Sequence, residues 1–248
     1  FDAKTYVRND FSYLPDLVSD KKKPGFTTEV ARNFYVSDSF KDSIMQSIVD
    51  SRLGKRGKYV YSCINFILLK MMVENLMDKP MDRLLHDDFY AGLGAWHVTY
   101  TPLKIMDTLQ IVPTEDDRFV RRQLLRGYVH DEAAAFQGGV SGNAGLFSNA
   151  NDLAKVLQLF LNQGVYGGEQ YLSMETCRLF TQSKSPTSRR GLGFDKPAIG
   201  SPQSSPCAPQ APASVYGHTG FTGTCFWVDP ENQLIYIFLS NRVNPSRA

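Results

Sequence analysis

What the sequence has little of narrows the field first. Neither sign of charge prevails: 27 Lys and Arg stand against 25 Asp and Glu, so the chain has no long-range field to draw in nucleic acid or an anionic membrane. No nucleic-acid partner is expected, and small ligands or neutral polymers take that place. The four cysteines, Cys63, Cys177, Cys207 and Cys225, are scattered without a CxxC pair, which argues against a structural zinc. No metal and no cofactor is expected. Their even number permits two disulfides in an oxidising compartment, and spacing alone does not decide whether they pair. No apolar run reaches the roughly 18 to 20 residues that span a bilayer, so no transmembrane segment is expected. No charged-then-apolar leader precedes a cleavage site. The first residue is Phe1 rather than methionine, the mark of a processed protein or an excised piece.

What is present suffices for a core: 248 residues, 42% of them hydrophobic. Residues 1–57 read as a loop and helix region. Within it a helical pattern runs from Thr28 to about Leu53, with Val30, Phe34, Phe40, Ile44 and Ile48 mostly four apart. Residues 58–182 read as helical. A helix carrying Ile64, Ile67, Leu68, Met71 and Leu76 stops at Pro80, with Tyr61 and Ser62 at its entrance. "MDRLLHDDFYAGLG" reads as a short helix ending in a glycine turn, and "TYTPL" and "IVPTEDDR" as proline-bearing connections. "GGVSGNAG" turns into an amphipathic helix with Leu153, Val156, Leu157, Phe160 and Leu161 on one face, closed by Gly164. Ser173 is the expected N-cap of the helix in "LSMETCRLF". Residues 183–248 read as loops and C-terminal strands. The proline- and serine-rich stretch 201–214 is an expected surface loop, and strands over 224–229 and 234–240 flank a hairpin turn at 229–233. "RGLGFDK" near 190–196 is a further strand candidate. The expected fold class is α/β in the α+β sense: a helical body with an antiparallel sheet that is incomplete within these residues.

Two short stretches carry chemistry. "YSCIN" places Tyr61 and Ser62 at a helix N-terminus, where unpaired N–H groups favour negative charge and would stabilise a phenolate able to act as a base. "GHTGFTGT", 217–224, lets a strand's backbone approach a ligand, with His218 and Thr219 able to donate to a carboxylate or carbonyl. Backbone N–H groups on such an edge can stabilise an oxyanion. The clusters His86-Asp87-Asp88 and His130-Asp131-Glu132 are read as surface polar groups, since adjacent residues do not easily converge on one ion. "GGVSGNAG" lacks the Gly-Lys-Ser/Thr ending of a phosphate loop.

In order, "YSCINFILLKMMVE", "YAGLGAWHVTYTPL", "GGVSGNAGLFSNANDLAKVLQLFLNQG" and "GHTGFTGTCFWVDPENQLIYIFLSNR" resemble the later part of the serine beta-lactamase and penicillin-binding-protein-like family, near the class C enzymes and their esterase relatives. "PTEDDRFVRRQLLRGYVHDEAAAFQGGVSGNAGLFS" is similar to the beta-lactamase-like module that some bacterial proteins carry behind a glycoside hydrolase family 3 module. The resemblance implies a single beta-lactamase/transpeptidase-like domain over 1–248, truncated at both ends. It also implies a place in the bacterial periplasm or envelope, a small-molecule or peptidoglycan-derived substrate, and a fused glycosidase as a partner.

That family uses a Ser-x-x-Lys nucleophile motif, a Tyr-x-Asn motif and a Lys/His-Thr-Gly strand. By this correspondence Tyr61 is a catalytic base, Cys63 stands at the asparagine position, and His218, Thr219 and Gly220 line the substrate. The N–H of Phe221 is an oxyanion donor. Two departures follow. A thiol replaces the amide that would orient an acyl side chain, which sets beta-lactam hydrolysis in doubt. The upstream Ser-x-x-Lys string, Ser19 to Lys22, sits beside Pro24-Gly25 without an apolar helical face, so the nucleophile is expected outside this sequence and the 248 residues alone are expected to be inactive. The rival expectation is a degenerate module that binds wall fragments or braces a glycosidase.

Overall fold

Residues 16–57, 59–182, 184–198 and 204–247 are described by a computed structural model. The chain divides into two compact units: Phe1–Arg83, Thr99–Phe147 and Asn241–Ala248 form the first, and Leu84–Val98 with Ser148–Ser240 the second.

In the first unit, strands β1 (Val18–Ser19), β2 (Thr28–Ala31) and β3 (Phe34–Val36) form an antiparallel sheet in the order β1-β3-β2. Helix α1 (Phe40–Val49) follows. The helix expected from Thr28 therefore begins only at Phe40. Its first part is a hairpin, because Asn33 takes a left-handed conformation, φ 54°, and turns the chain back on itself. Phe34 and Val36 then bury on alternate positions, while Phe40 and Ile44 bury one helical turn apart. The Phe40 and Phe136 rings meet edge to face at 5.0 Å within this core. Helix α2 (Ile64–Met77) ends at a left-handed Asp78, before Pro80. Helix α3 (Met81–Leu85) then runs into one π turn, His86–Tyr90.

Strands β4 (Pro113–Asp117) and β5 (Gln123–Arg126) pair antiparallel where the sequence suggested a connection. Two of the charges in this stretch are inside. Glu115 and Asp117 are fully buried, facing Arg121: its Nε lies 2.7 Å from Asp117 and its Nη2 3.3 Å from Glu115. Arg121 also donates to the carbonyls of Val129 and His130. Arg247 forks onto Glu115 at 2.7 and 2.9 Å. Burial alone would raise both carboxyls, but Arg121 and two backbone N–H groups hold Asp117 below the usual range, and His130 and Arg247 do so for Glu115. Helix α4 (Glu132–Phe136) packs beside this network.

The second unit is built on helix α5 (Ala150–Leu161). Asn149 caps it by accepting from the Asp152 N–H at 2.8 Å, and Gln163 and Gly164, both with positive φ, close it. A short hairpin, β6 (Val165–Tyr166) and β7 (Glu169–Gln170), leads to helix α6 (Met174–Gln182), where Ser173 accepts from the Thr176 N–H as expected. Strands β8 (Tyr216–Thr219), β9 (Cys225–Asp229) and β10 (Leu234–Phe238) make an antiparallel sheet in the order β10-β9-β8. Leu157 and Leu161 of α5 pack with Tyr216 and Val228 of this sheet. The strand expected over 190–196 amounts to one bridge, Asp195 with Gly217. Of the expected loop 201–214, residues 201–203 lie outside the described residues. Leu234, Tyr236 and Phe238 turn outward on the edge strand β10. All four cysteines are free thiols. Among the described residues no helix is long and apolar enough to cross a membrane.

Candidate functional site

The first motif lies in the first unit, at the start of α2. Ser62 Oγ accepts from the Ile64 N–H at 3.2 Å, satisfying one of the donors that every helix start leaves over. Cys63 is the N-cap residue, and Tyr61 stands before it with its side chain exposed. Although Cys63 is exposed, the partial desolvation of its sulfur, then the negative charge of Asp131, push the thiol up, against a hydrogen bond with the Asn143 side chain. The thiol thus stays protonated at neutral pH, a weak hydrogen-bonding group and not a thiolate nucleophile.

Asn143 is a partner the sequence reading left out. It belongs to "GGVSGNAG", where Ser141 Oγ donates to Asn143 Oδ1 at 2.7 Å. A side chain at Gly142 would collide with the Phe66 carbonyl, so glycine there lets the loop lie directly on α2 and brings Asn143 to Cys63. Further along the helix, a cleft of about 530 Å³ is lined by Lys70, Glu74, Asp82, Gln137, Gly138 and Val140. The largely buried Lys70 pairs with Glu74 at 3.1 Å. The Ser19–Lys22 string lies on β1 and the turn after it, with Ser19 Oγ donating to the Lys21 carbonyl. That is a surface turn and offers no helix to hold serine against lysine.

The second motif lies in the second unit. Strand β8 carries His218 and Thr219 at its exposed end, and a side chain at Gly217 would collide with the Phe226 carbonyl of β9. The Gly223 N–H closes a turn onto the Gly220 carbonyl at 3.1 Å, placing Phe221 just past the strand. Both His218 ring nitrogens are engaged. Nε2 lies 2.8 Å from Arg190 Nη1, and Nδ1 2.7 Å from the Thr219 carbonyl. A guanidinium can only donate, so Nε2 accepts and Nδ1 carries the proton it donates to Thr219. Arg190 is set by the buried Asp195 at 3.3 Å, which also takes Arg189 at 2.8 Å. Asp195 is fixed in turn by two backbone bonds to Gly217. Sequence reading missed Arg190 and Asp195; "RGLGFDK" offered only a strand pattern, and the charge pairing crosses 28 residues to His218.

Of the two His-acid clusters, the first is a local surface pair, His86 with Asp87 at 2.9 Å, whereas the second is not the surface group expected: His130 reaches the buried Glu115 of β4 at 2.9 Å and Glu132 meets Arg247 at 2.8 Å. Among the described residues no three His, Cys, Asp or Glu side chains gather as a metal site would need.

The family model described as Beta-lactamase matches residues 11–248. An Escherichia coli (strain K12) protein with the provisional name D-alanyl-D-alanine carboxypeptidase is 38% identical over 198 residues, covering 75% of this chain and 45% of that protein. A Bacillus subtilis (strain 168) protein named N-acetylmuramyl-L-alanine amidase is 34% identical over 231 residues, covering 88% and 52%. The chain therefore spans about half the length of the curated relatives it matches. Among solved structures, a penicillin-binding protein homologue from Caulobacter crescentus superposes with a TM-score of 0.59 at 16% identity, over 84% of this chain and 59% of that one.

Proposed function

From the premise that this chain belongs to the beta-lactamase family, we propose that it is part of a serine hydrolase that transfers acyl groups from an ester, amide or lactam in cell-wall turnover. The fold is of the beta-lactamase and transpeptidase type, helices with antiparallel sheets, and the family is one of serine hydrolases. In the proposed reaction a serine outside these 248 residues attacks the carbonyl, Tyr61 takes the serine proton and passes it to the leaving group, and water then releases the acyl group from the serine. Thr219, Gly220 and the Phe221 N–H line the carbonyl, the last as an oxyanion donor. His218 acts through Arg190, because both of its nitrogens are in use.

The observation that carries this reading is the Asp195–Arg190–His218 chain. It holds a cation beside the Thr219 strand, which suits a substrate with a carboxylate, such as a peptide ending in D-alanine. The names of the relatives point to the same polymer and, with it, to the bacterial envelope. A fused glycoside hydrolase family 3 module belongs to the proposal as a partner.

The test is hydrolysis of a chromogenic ester and of a D-alanyl-D-alanine peptide by the polypeptide extended upstream. Tyr61→Phe should lower kcat by about 10²–10⁴-fold, and Arg190→Ala should raise KM for the peptide more than for the neutral ester. Equal rates with Tyr61→Phe would remove that residue from the mechanism. Cys63, with its protonated thiol at the asparagine position, favours a second reading: a non-catalytic module that binds wall fragments or braces its neighbour. Covalent labelling of the extended polypeptide by a fluorophosphonate excludes it, while the 248 residues alone are expected to remain unlabelled.

A further inference from the structure

The second unit carries an exposed indole on a segment that is otherwise tied down. Leu93, Ala95 and Val98 are buried, yet Trp96 between them is 59% exposed. Single exposed apolar residues are ordinary; the support behind this one is not. Asp152, buried in the first turn of α5, accepts from both the backbone N–H and the Nδ1 of His97, at 2.9 and 2.8 Å. Lys155, one turn on, pairs with Asp152 at 2.8 Å and donates to the Gly94 carbonyl. The residues on either side of Ala95-Trp96 are thus clamped to α5 by a partly buried ion pair. Burial would raise the Asp152 carboxyl, but the bonds from Lys155 and His97 hold it below the usual range, so the clamp is charged at neutral pH.

Two imidazoles belong to the same segment, one of them beside the indole. With Nδ1 given to Asp152, His97 in its neutral form presents Nε2 as an acceptor. The His86 ring lies 6.5 Å from the Trp96 ring, tilted at 53°, with its Nδ1 on Asp87. Among the described residues neither the Trp96 indole N–H nor the outer nitrogens of the two imidazoles has a protein partner.

We infer that Trp96, with His97 and His86, is a binding platform for a β-linked pyranose chain. A sugar ring offers together what the site offers apart: an apolar C–H face to lie on the indole, and a rim of hydroxyls to pair with N–H and imidazole nitrogen. A purely apolar group would leave those nitrogens unpaired and desolvated, which costs binding. The backbone on either side of the indole is already held by the Asp152–Lys155 clamp, so less conformational entropy is lost on binding than for a loop ordered by its ligand. The site is chemically separate from the acyl-transfer proposal and does not depend on it.

The chain contains two tryptophans, and Trp227 is buried, so surface-sensitive emission reports Trp96. Titration with the β-1,4-linked tetramer of N-acetylglucosamine should change that emission saturably, and calorimetry should give the same midpoint. Trp96→Ala should abolish the change and weaken binding by about tenfold or more, with Trp227 emission unaltered as the sign of an intact fold. Trp96→Phe, which keeps an apolar face, should fall between, and His97→Ala should weaken binding several-fold. The α-1,4-linked glucose tetramer, which curls instead of lying flat, should bind more weakly. The inference is overturned if the tetramer gives no saturable signal at millimolar concentration, if the response survives Trp96→Ala, if both sugars bind alike, or if only a wall peptide without sugar produces it.

Discussion

Helices α2 and α5 are of similar length and both stand next to a motif of the proposed reaction, yet they relate to their surroundings in opposite ways. The α5 helix is amphipathic: it buries Leu157, Leu159 and Leu161, together with one charged residue, Asp152. The α2 helix is apolar on nearly every turn, and among the described residues it buries only Ile67 and Lys70. Phe66, Leu69, Met72 and Leu76, which share one stripe, are exposed. A helix apolar all round is ordinarily a core helix. Composition therefore does not set burial; a facing surface does. The sheet gives α5 that surface, whereas among the described residues α2 meets the loop at Gly142 along a narrow line and starts at the Ser62 cap.

This contrast can be broken by measurement. The largest expected effect is on α5: Leu157→Ala should lower unfolding free energy by about 2–5 kcal/mol, as deletion from a packed core does, read from urea denaturation. Next comes its polar anchor. Asp152→Asn should cost about 1–3 kcal/mol, because Lys155 and His97 lose a buried charged acceptor. The same carboxyl gives a pH signature. Its folded value lies below the ordinary one, so the stability it lends is complete above the unfolded carboxylate range and drains away as pH falls through the folded value. Asp152→Asn should flatten that acid limb, and an unchanged limb would show that the clamp adds nothing. The smallest effect is expected on α2, where Leu76→Ala should shift stability by no more than about 0.5 kcal/mol. A loss there as large as that at Leu157 would mean that the apolar stripe is covered in solution.

The elements legible in the sequence are those in which one signal acts alone. The α5 stripe, the Ser173 cap and the β9–β10 hairpin each follow from a period or a turn residue. The β2–β3 hairpin was not legible, because Val30 and Phe34, four apart, fit a helix equally well; the left-handed Asn33 decides for strands. The β4–β5 hairpin was hidden for the opposite reason. Glu115 and Asp117 look like solvated residues, and Arg121, His130 and Arg247, the last arriving from 132 residues away, together with backbone N–H groups at Asp117, make their burial tolerable. The candidate site divides in the same way. Tyr61, Cys63 and the His218–Phe221 run were legible as motifs, while Asn143, Arg190 and Asp195 emerge only once folding brings distant segments together.

The edge strand β10 bears on how the protein behaves in the tube. Its outer face shows Leu234, Tyr236 and Phe238, and among the described residues no strand pairs with its other side. Such a border recruits strands from other molecules, so yield and clarity at high concentration depend on this stretch more than on core packing. One lysine in place of Tyr236 would interrupt the apolar row and leave the inward faces of the hairpin untouched.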